Sequence, residues 1–126
     1  MEKKILVVED DEHSGNFLKE ALEIYGYCAA VAANGKLALD EFTKSHYPVV
    51  ITDLEMPHMG GRELISEIKK KPIPPIVIVQ SAHHEMHTVN DVMSLGVFDY
   101  LIKPIQMNDL IAKVEKAFAL YQTGQI

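Results

Sequence analysis

Five residues spread along this chain of 126 belong together chemically: Glu9, Asp10, Asp53, Ser81 and Lys103. Each stands just past an apolar run that reads as a strand, and strands of one sheet that run in parallel deliver such residues to a common rim. Three carboxylates gathered there would repel one another and raise one another's pKa unless a cation sat among them. A donor set made only of oxygen suits Mg2+ or Mn2+, whereas Zn2+ would ask for Cys or His. With an amine and a hydroxyl alongside, the set is equipped to handle a phosphoryl group: the cations offset charge developing on its oxygens, and the hydroxyl donates to another. One acid must then be the nucleophile. Asp53 is placed for it, since Glu9 and Asp10 come as a pair suited to holding a metal. An acid at a single strand end is more often a helix cap or a solvated charge, but five such residues at four strand ends are not explained that way.

The elements that must position these residues follow from the apolar pattern. Ile5-Leu6-Val7-Val8, Val49-Val50-Ile51-Thr52 and Ile76-Val77-Ile78-Val79 are continuous runs without alternation, the signature of parallel strands covered on both faces. Tyr27 to Val31 and Val97 to Ile102 read as two further, weaker strands. Helices are predicted between them: from His13 with Phe17, Leu18, Ala21, Leu22 and Tyr25 inward, stopped by Gly26; after Asn34-Gly35 with Leu37, Ala38, Leu39 and Phe42; after Gly60-Gly61 with Leu64, Ile65 and Ile68. A fourth spans His83 to Leu95 and ends at Gly96, and a fifth spans Met107 to Tyr121. Five strands alternating with five helices specify an α/β domain with right-handed crossovers.

Composition narrows the function. Twelve basic residues against eighteen acidic ones give a net charge of −6, the wrong sign for a chain that holds nucleic acid by itself. The run Lys69-Lys70-Lys71 reads as a helix end, where it complements the exposed carbonyls. No apolar run approaches the ~20 residues of a membrane helix, and Met1-Glu2-Lys3-Lys4 leads into a strand rather than a signal-peptide core, so a cytoplasmic location is expected, without membrane contact. The one cysteine, Cys28, is expected to be a small buried thiol. His83, His84 and His87 are expected to be a solvated helix start rather than a transition-metal site.

Four stretches in order carry a resemblance: Ile5-Leu6-Val7-Val8-Glu9-Asp10-Asp11, Ile51-Thr52-Asp53-Leu54-Glu55-Met56-Pro57-His58-Met59-Gly60-Gly61, Ile78-Val79-Gln80-Ser81-Ala82 and Gly96-Val97-Phe98-Asp99-Tyr100-Leu101-Ile102-Lys103-Pro104. The chain resembles the response-regulator receiver domain of two-component signalling, in a form like the chemotaxis regulators. The resemblance implies a flavodoxin-like (βα)5 domain, doubly wound around a five-stranded parallel sheet of order 2-1-3-4-5, over residues 1–122 with 123–126 as a tail or linker stub. It implies that Asp53 accepts a phosphoryl group from a phosphohistidine on a sensor histidine kinase or a histidine phosphotransfer protein. It further implies that Glu9, Asp10, Asp53 and the backbone carbonyl of Glu55 hold Mg2+ or Mn2+, that Ser81 and Lys103 bond the phosphoryl oxygens, and that the Lys103–Pro104 bond is cis. Tyr100 matches the family's aromatic switch position, coupled to Ser81. The remodelled surface would be the face of the fourth helix, fifth strand and fifth helix; the sequence leaves open whether a phosphorylation-dependent homodimer uses it.

Glu9 stands where aspartate is common, with a longer reach. Glu55 and His83, each two positions beyond a site residue, are expected to tune how long the phosphoryl group stays on Asp53. The rival reading is a small Mg2+-dependent phosphohydrolase with an Asp nucleophile. It would want a second Asp two positions after the first, where this chain has Glu55, and it normally carries a cap domain. A nucleotide- or flavin-binding module is disfavoured because the first strand runs into Glu9-Asp10-Asp11 and not into a glycine-rich loop.

Overall fold

A computed structural model of the chain describes residues 3–54, 56, 59–82 and 86–123. The order of elements is β1 (Lys4–Val8), α1 (Glu12–Ile24), β2 (Cys28–Ala32), α2 (Gly35–Lys44), β3 (Val49–Asp53), α3 (Gly61–Ile68), β4 (Ile76–Ser81), α4 (Met86–Ser94), β5 (Asp99–Ile102) and α5 (Met107–Thr123). All pairings are parallel and the sheet order is β2-β1-β3-β4-β5, as the resemblance implies. The register places Val7 beside Ile51, Ile51 beside Ile78 and Gln80 beside Leu101.

Because side chains alternate along a strand, the sheet divides the interior into two cores. Ile5, Val7, Val49, Ile51, Ile76, Ile78 and Leu101 face α1 and α5, where they meet Leu18, Leu22, Leu110, Val114 and Phe118. Leu6, Val8, Val50, Val77 and Val79 face the other way, onto Ala38 of α2, Leu64, Ile65 and Ile68 of α3, and Val92 of α4. The helices start and stop as their caps dictate. Asp11 accepts the Ser14 N–H at 3.1 Å ahead of α1, and Asn34 accepts the Leu37 N–H at 2.9 Å ahead of α2. Beyond α1 and α4, Gly26 at φ +91° and Gly96 at φ +80° turn the chain through the left-handed region that other residues resist.

Three expectations about the interior are corrected. Cys28 is exposed, because β2 is the outermost strand and its first residue lies at an open edge of the sheet. Phe17 is 58% exposed and Tyr25 52%. Contact with the sheet is made by Gly15, Leu18, Ala21 and Leu22, and Phe17 lies about 100° around the helix from Leu18. Leu37 is likewise exposed beside buried Ala38. The fourth helix ends at Ser94, one residue short of the expected Leu95, which already lies in the turn that Gly96 completes, while His83, His84 and Glu85 lie outside the described residues.

Gly61 opens α3 directly behind the end of β3. A Cβ there would fall on the carbonyl oxygen of Asp53 and 2.8 Å from Leu54 Cα. Gly61→Ala is therefore expected to cost about 1–3 kcal/mol in urea unfolding, as overpacking against backbone does. A second prediction concerns Tyr47, which is 5% exposed and whose hydroxyl donates to Glu41 Oε2 at 3.0 Å. Burial, then the Glu41 hydrogen bond, pushes its pKa up to about 12. The native state thus holds the phenol proton more tightly than the unfolded chain. Its contribution to stability is complete below the ordinary tyrosine value of about 10 and is lost as pH rises toward 12. Tyr47→Phe should flatten that alkaline fall when unfolding is compared at about pH 9 and about pH 11.

Candidate functional site

The file of side chains that faces α1 and α5 continues past the apolar part of each strand, and there it changes character. One step of two residues beyond Val7 is Glu9, beyond Ile51 is Asp53, beyond Ile78 is Gln80 and beyond Leu101 is Lys103. Glu9 keeps strand pairing for one more residue, its N–H donating to Ala32 O at 3.0 Å. The same alternation that builds the core thus brings two acids, an amide and an amine to one rim.

Their contacts are direct. Lys103 Nζ donates to Glu9 Oε2 at 2.9 Å and to Asp53 Oδ2 at 3.1 Å. Gln80 Nε2 donates to the same Glu9 oxygen at 3.1 Å, and the Asp11 N–H donates to Glu9 Oε1 at 3.1 Å. The Leu54 N–H donates to Asp53 Oδ1 at 3.1 Å and so fixes the plane of that carboxylate. Burial is graded across the group: the side chain of Glu9 is 1% exposed, that of Asp53 13% and that of Lys103 26%. Burial alone would lower the lysine pKa, but the hydrogen bonds and charges of Glu9 and Asp53 outweigh it and hold the ammonium above its ordinary value. It stays a cation across the physiological range.

Glu9, Asp10 and Asp53 each offer a carboxylate oxygen, and these lie within 4.8 Å of one another. An oxygen-only set of that spacing, part buried and part open at Asp10, fits a hard divalent cation. Asp11 does not join it. Its carboxylate is taken up by the hydroxyl and N–H of Ser14, which lower its pKa, so it serves as the cap of α1.

The remaining expected residues are distributed as follows. Ser81 is the last residue of β4, half-buried, and its carbonyl accepts the Lys103 N–H at 2.8 Å. Tyr100 pairs with Val79 across β4 and β5, so it shares with Ser81 the opposite face of the sheet, toward α3 and α4. Lys113 of α5 lies over its ring, 5.7 Å from the centroid, and donates to its carbonyl at 2.7 Å. The Lys103–Pro104 bond is cis. Glu55 and His83 lie outside the described residues. Gln80 is the residue that the sequence reading passed over. Its signal was a polar side chain closing an apolar run, which a buried strand tolerates only when it has a partner.

Comparison with known proteins identifies the family. Residues 5–115 match the family of the response regulator receiver domain. The regulatory protein AtoC of Escherichia coli is 32% identical over 117 residues, which are 93% of this chain and 25% of AtoC. The transcriptional regulatory protein ZraR of the same species is 35% identical over 91% of this chain and 26% of its own length. The chain therefore spans about a quarter of these relatives. Among solved structures, the receiver domain of the Francisella response regulator 1452 matches with a TM-score of 0.86 at 31% identity, over 97% of this chain and 98% of that one. The response regulator TrrA of Thermotoga maritima, in complex with Mg2+ and BeF, matches with a TM-score of 0.82 at 36% identity, over 91% and 98%. Sheet order, rim chemistry and family match converge, and this chain belongs to the response regulator receiver domains.

Proposed function

We propose that this receiver domain is a phosphoacceptor switch in which Asp53 takes a phosphoryl group from a phosphohistidine of a sensor histidine kinase or a histidine phosphotransfer protein. The observation that carries this reading is the Lys103 ammonium shared between Glu9 and Asp53 beside a three-carboxylate cluster. Asp53 is the acid of the three that combines a fixed plane, partial exposure and a neighbouring cation. Its oxygen attacks phosphorus, the P–N bond to the donor imidazole breaks, and the new P–O bond leaves an acyl phosphate on β3. Glu9, Asp10, Asp53 and the Glu55 carbonyl would hold Mg2+ or Mn2+, which supplies positive charge against the phosphoryl oxygens. Lys103 turns from carboxylate to phosphate, and Ser81 donates to another phosphoryl oxygen. Since Ser81 and Tyr100 share a face of the sheet, movement of that hydroxyl is transmitted to the ring and on to the surface of α4, β5 and α5.

The domain takes up one phosphoryl group and loses it slowly to water, the P–O bond to Asp53 breaking to release inorganic phosphate, so it is a switch and not a turnover enzyme. A phosphohydrolase reading finds no comparable support: the family match covers residues 5–115. Output follows from contacts made by the switched face, including a phosphorylation-dependent homodimer. Binding of nucleic acid by this acidic domain itself is not part of the proposal. No helix among the described residues is long and apolar enough to cross a membrane, and a cytoplasmic setting accords with a soluble kinase-facing switch.

Incubation with Mg2+ and a small acyl-phosphate donor should add one phosphoryl group by mass, and Asp53→Asn should abolish the adduct. No adduct, or one that survives the substitution, would overturn the mechanism. Glu55→Ala and His83→Ala should each change the rate at which phospho-Asp53 hydrolyses by several-fold; unchanged decay in both would remove these two from the control of lifetime.

A further inference from the structure

Gln80 has no part in the transfer just described, yet it is fully buried at the centre of the rim. Its Nε2 donates to Glu9 Oε2 at 3.1 Å, and its Oε1 is buried without a hydrogen-bond partner. The amide has only one workable orientation. Reversed, it would press a carbonyl oxygen against a carboxylate oxygen, two acceptors with no proton between them. An orphaned buried carbonyl is a cost that an apolar residue in this strand would avoid, so an amide here points to a use for the donor at its other end.

That use lies with Glu9. Three donors from three places hold this buried carboxylate: the Asp11 N–H on Oε1, and Lys103 and Gln80 on Oε2. Lys103 is divided, because it also serves Asp53 and, on the proposed mechanism, the incoming phosphoryl group. Gln80 is the side-chain donor to Glu9 that the chemistry does not call away. Glutamate also has one more rotatable bond than aspartate, and hence more positions to lose from the cation end of the site.

We propose that Gln80 is a positioning residue that fixes the Glu9 carboxylate for the divalent cation independently of Lys103, allowing the longer acid to serve at this position. The inference rests on the phosphoryl-site reading above. Partners that orient metal-holding carboxylates are worth about 10–100-fold in metal affinity when removed.

The test uses Mn2+ as the probe, with free Mn2+ followed by electron paramagnetic resonance in titrations of the folded protein. Gln80→Met keeps the length of the side chain and discards both the donor and the orphaned carbonyl, so the fold should hold, as thermal unfolding and circular dichroism will show; Gln80→Leu is the second variant. Mn2+ affinity should fall about 10–100-fold in these variants. In a Glu9→Asp background, where the shorter acid needs no such tether, the same substitutions should change affinity by no more than about twofold. Unchanged Mn2+ affinity in the Gln80 variants, or an equal loss in both backgrounds, would overturn the proposal, since a merely structural residue acts alike in both. Failure of the wild-type chain itself to bind Mn2+ would be a different result, removing the phosphoryl-site reading and this inference with it.

Discussion

A single ammonium group, Lys103 Nζ, lies between two carboxylates that would otherwise face each other at the end of a buried sheet. Glu9 is almost fully buried, where a carboxylate is tolerated only with partners, and Lys103 is the one partner that brings an opposite charge. That lysine comes from beyond β5, while its partners come from the end of β1 and from β3. The site can therefore exist only once the parallel sheet has assembled across four neighbouring strands. Site and fold are in this sense one cooperative object, and loosening the sheet at its rim undoes the charge balance before it undoes the cores.

The sequence spoke most clearly where composition alone decides structure. Continuous β-branched runs such as Ile76 to Val79 read as strands covered on both faces, and they are. Asn34 ahead of α2 and Gly96 behind α4 announced helix ends because caps are local chemistry. The order of the strands was not in the apolar pattern; it came from the resemblance, since nothing in the alternation says which strand lies beside which. Misreadings arose where position in the sheet overrides residue type. Cys28 and Phe17 are apolar enough to be buried, but one begins the edge strand and the other sits to the side of the contacting stripe of α1.

Within the site, the residue types were legible and their pairings were not. Lys103 could be matched in advance with a phosphate, but its bond to Glu9 depends on which file of β1 and β5 faces α1 and α5. Gln80 was invisible for a related reason. A glutamine after Val79 looks like a strand leaving the core, and only the register with Asp53 on one side and Leu101 on the other shows that it is still inside.

The two faces of the sheet carry different traffic. Glu9, Asp53, Gln80 and Lys103 project toward α1 and α5, whereas Ser81 and Tyr100 project toward α3 and α4, and the strands between them form a partition one backbone thick. On the proposed mechanism, receiving a signal and broadcasting it would thus be wired on opposite sides of the same wall, which meet around its carboxyl-terminal lip and, at the β5 edge, where Lys113 of α5 reaches Tyr100. Such a layout would let the side of Ser81 and Tyr100 be re-tailored, residue by residue, while the side of Glu9, Asp53 and Lys103 keeps its charges in place.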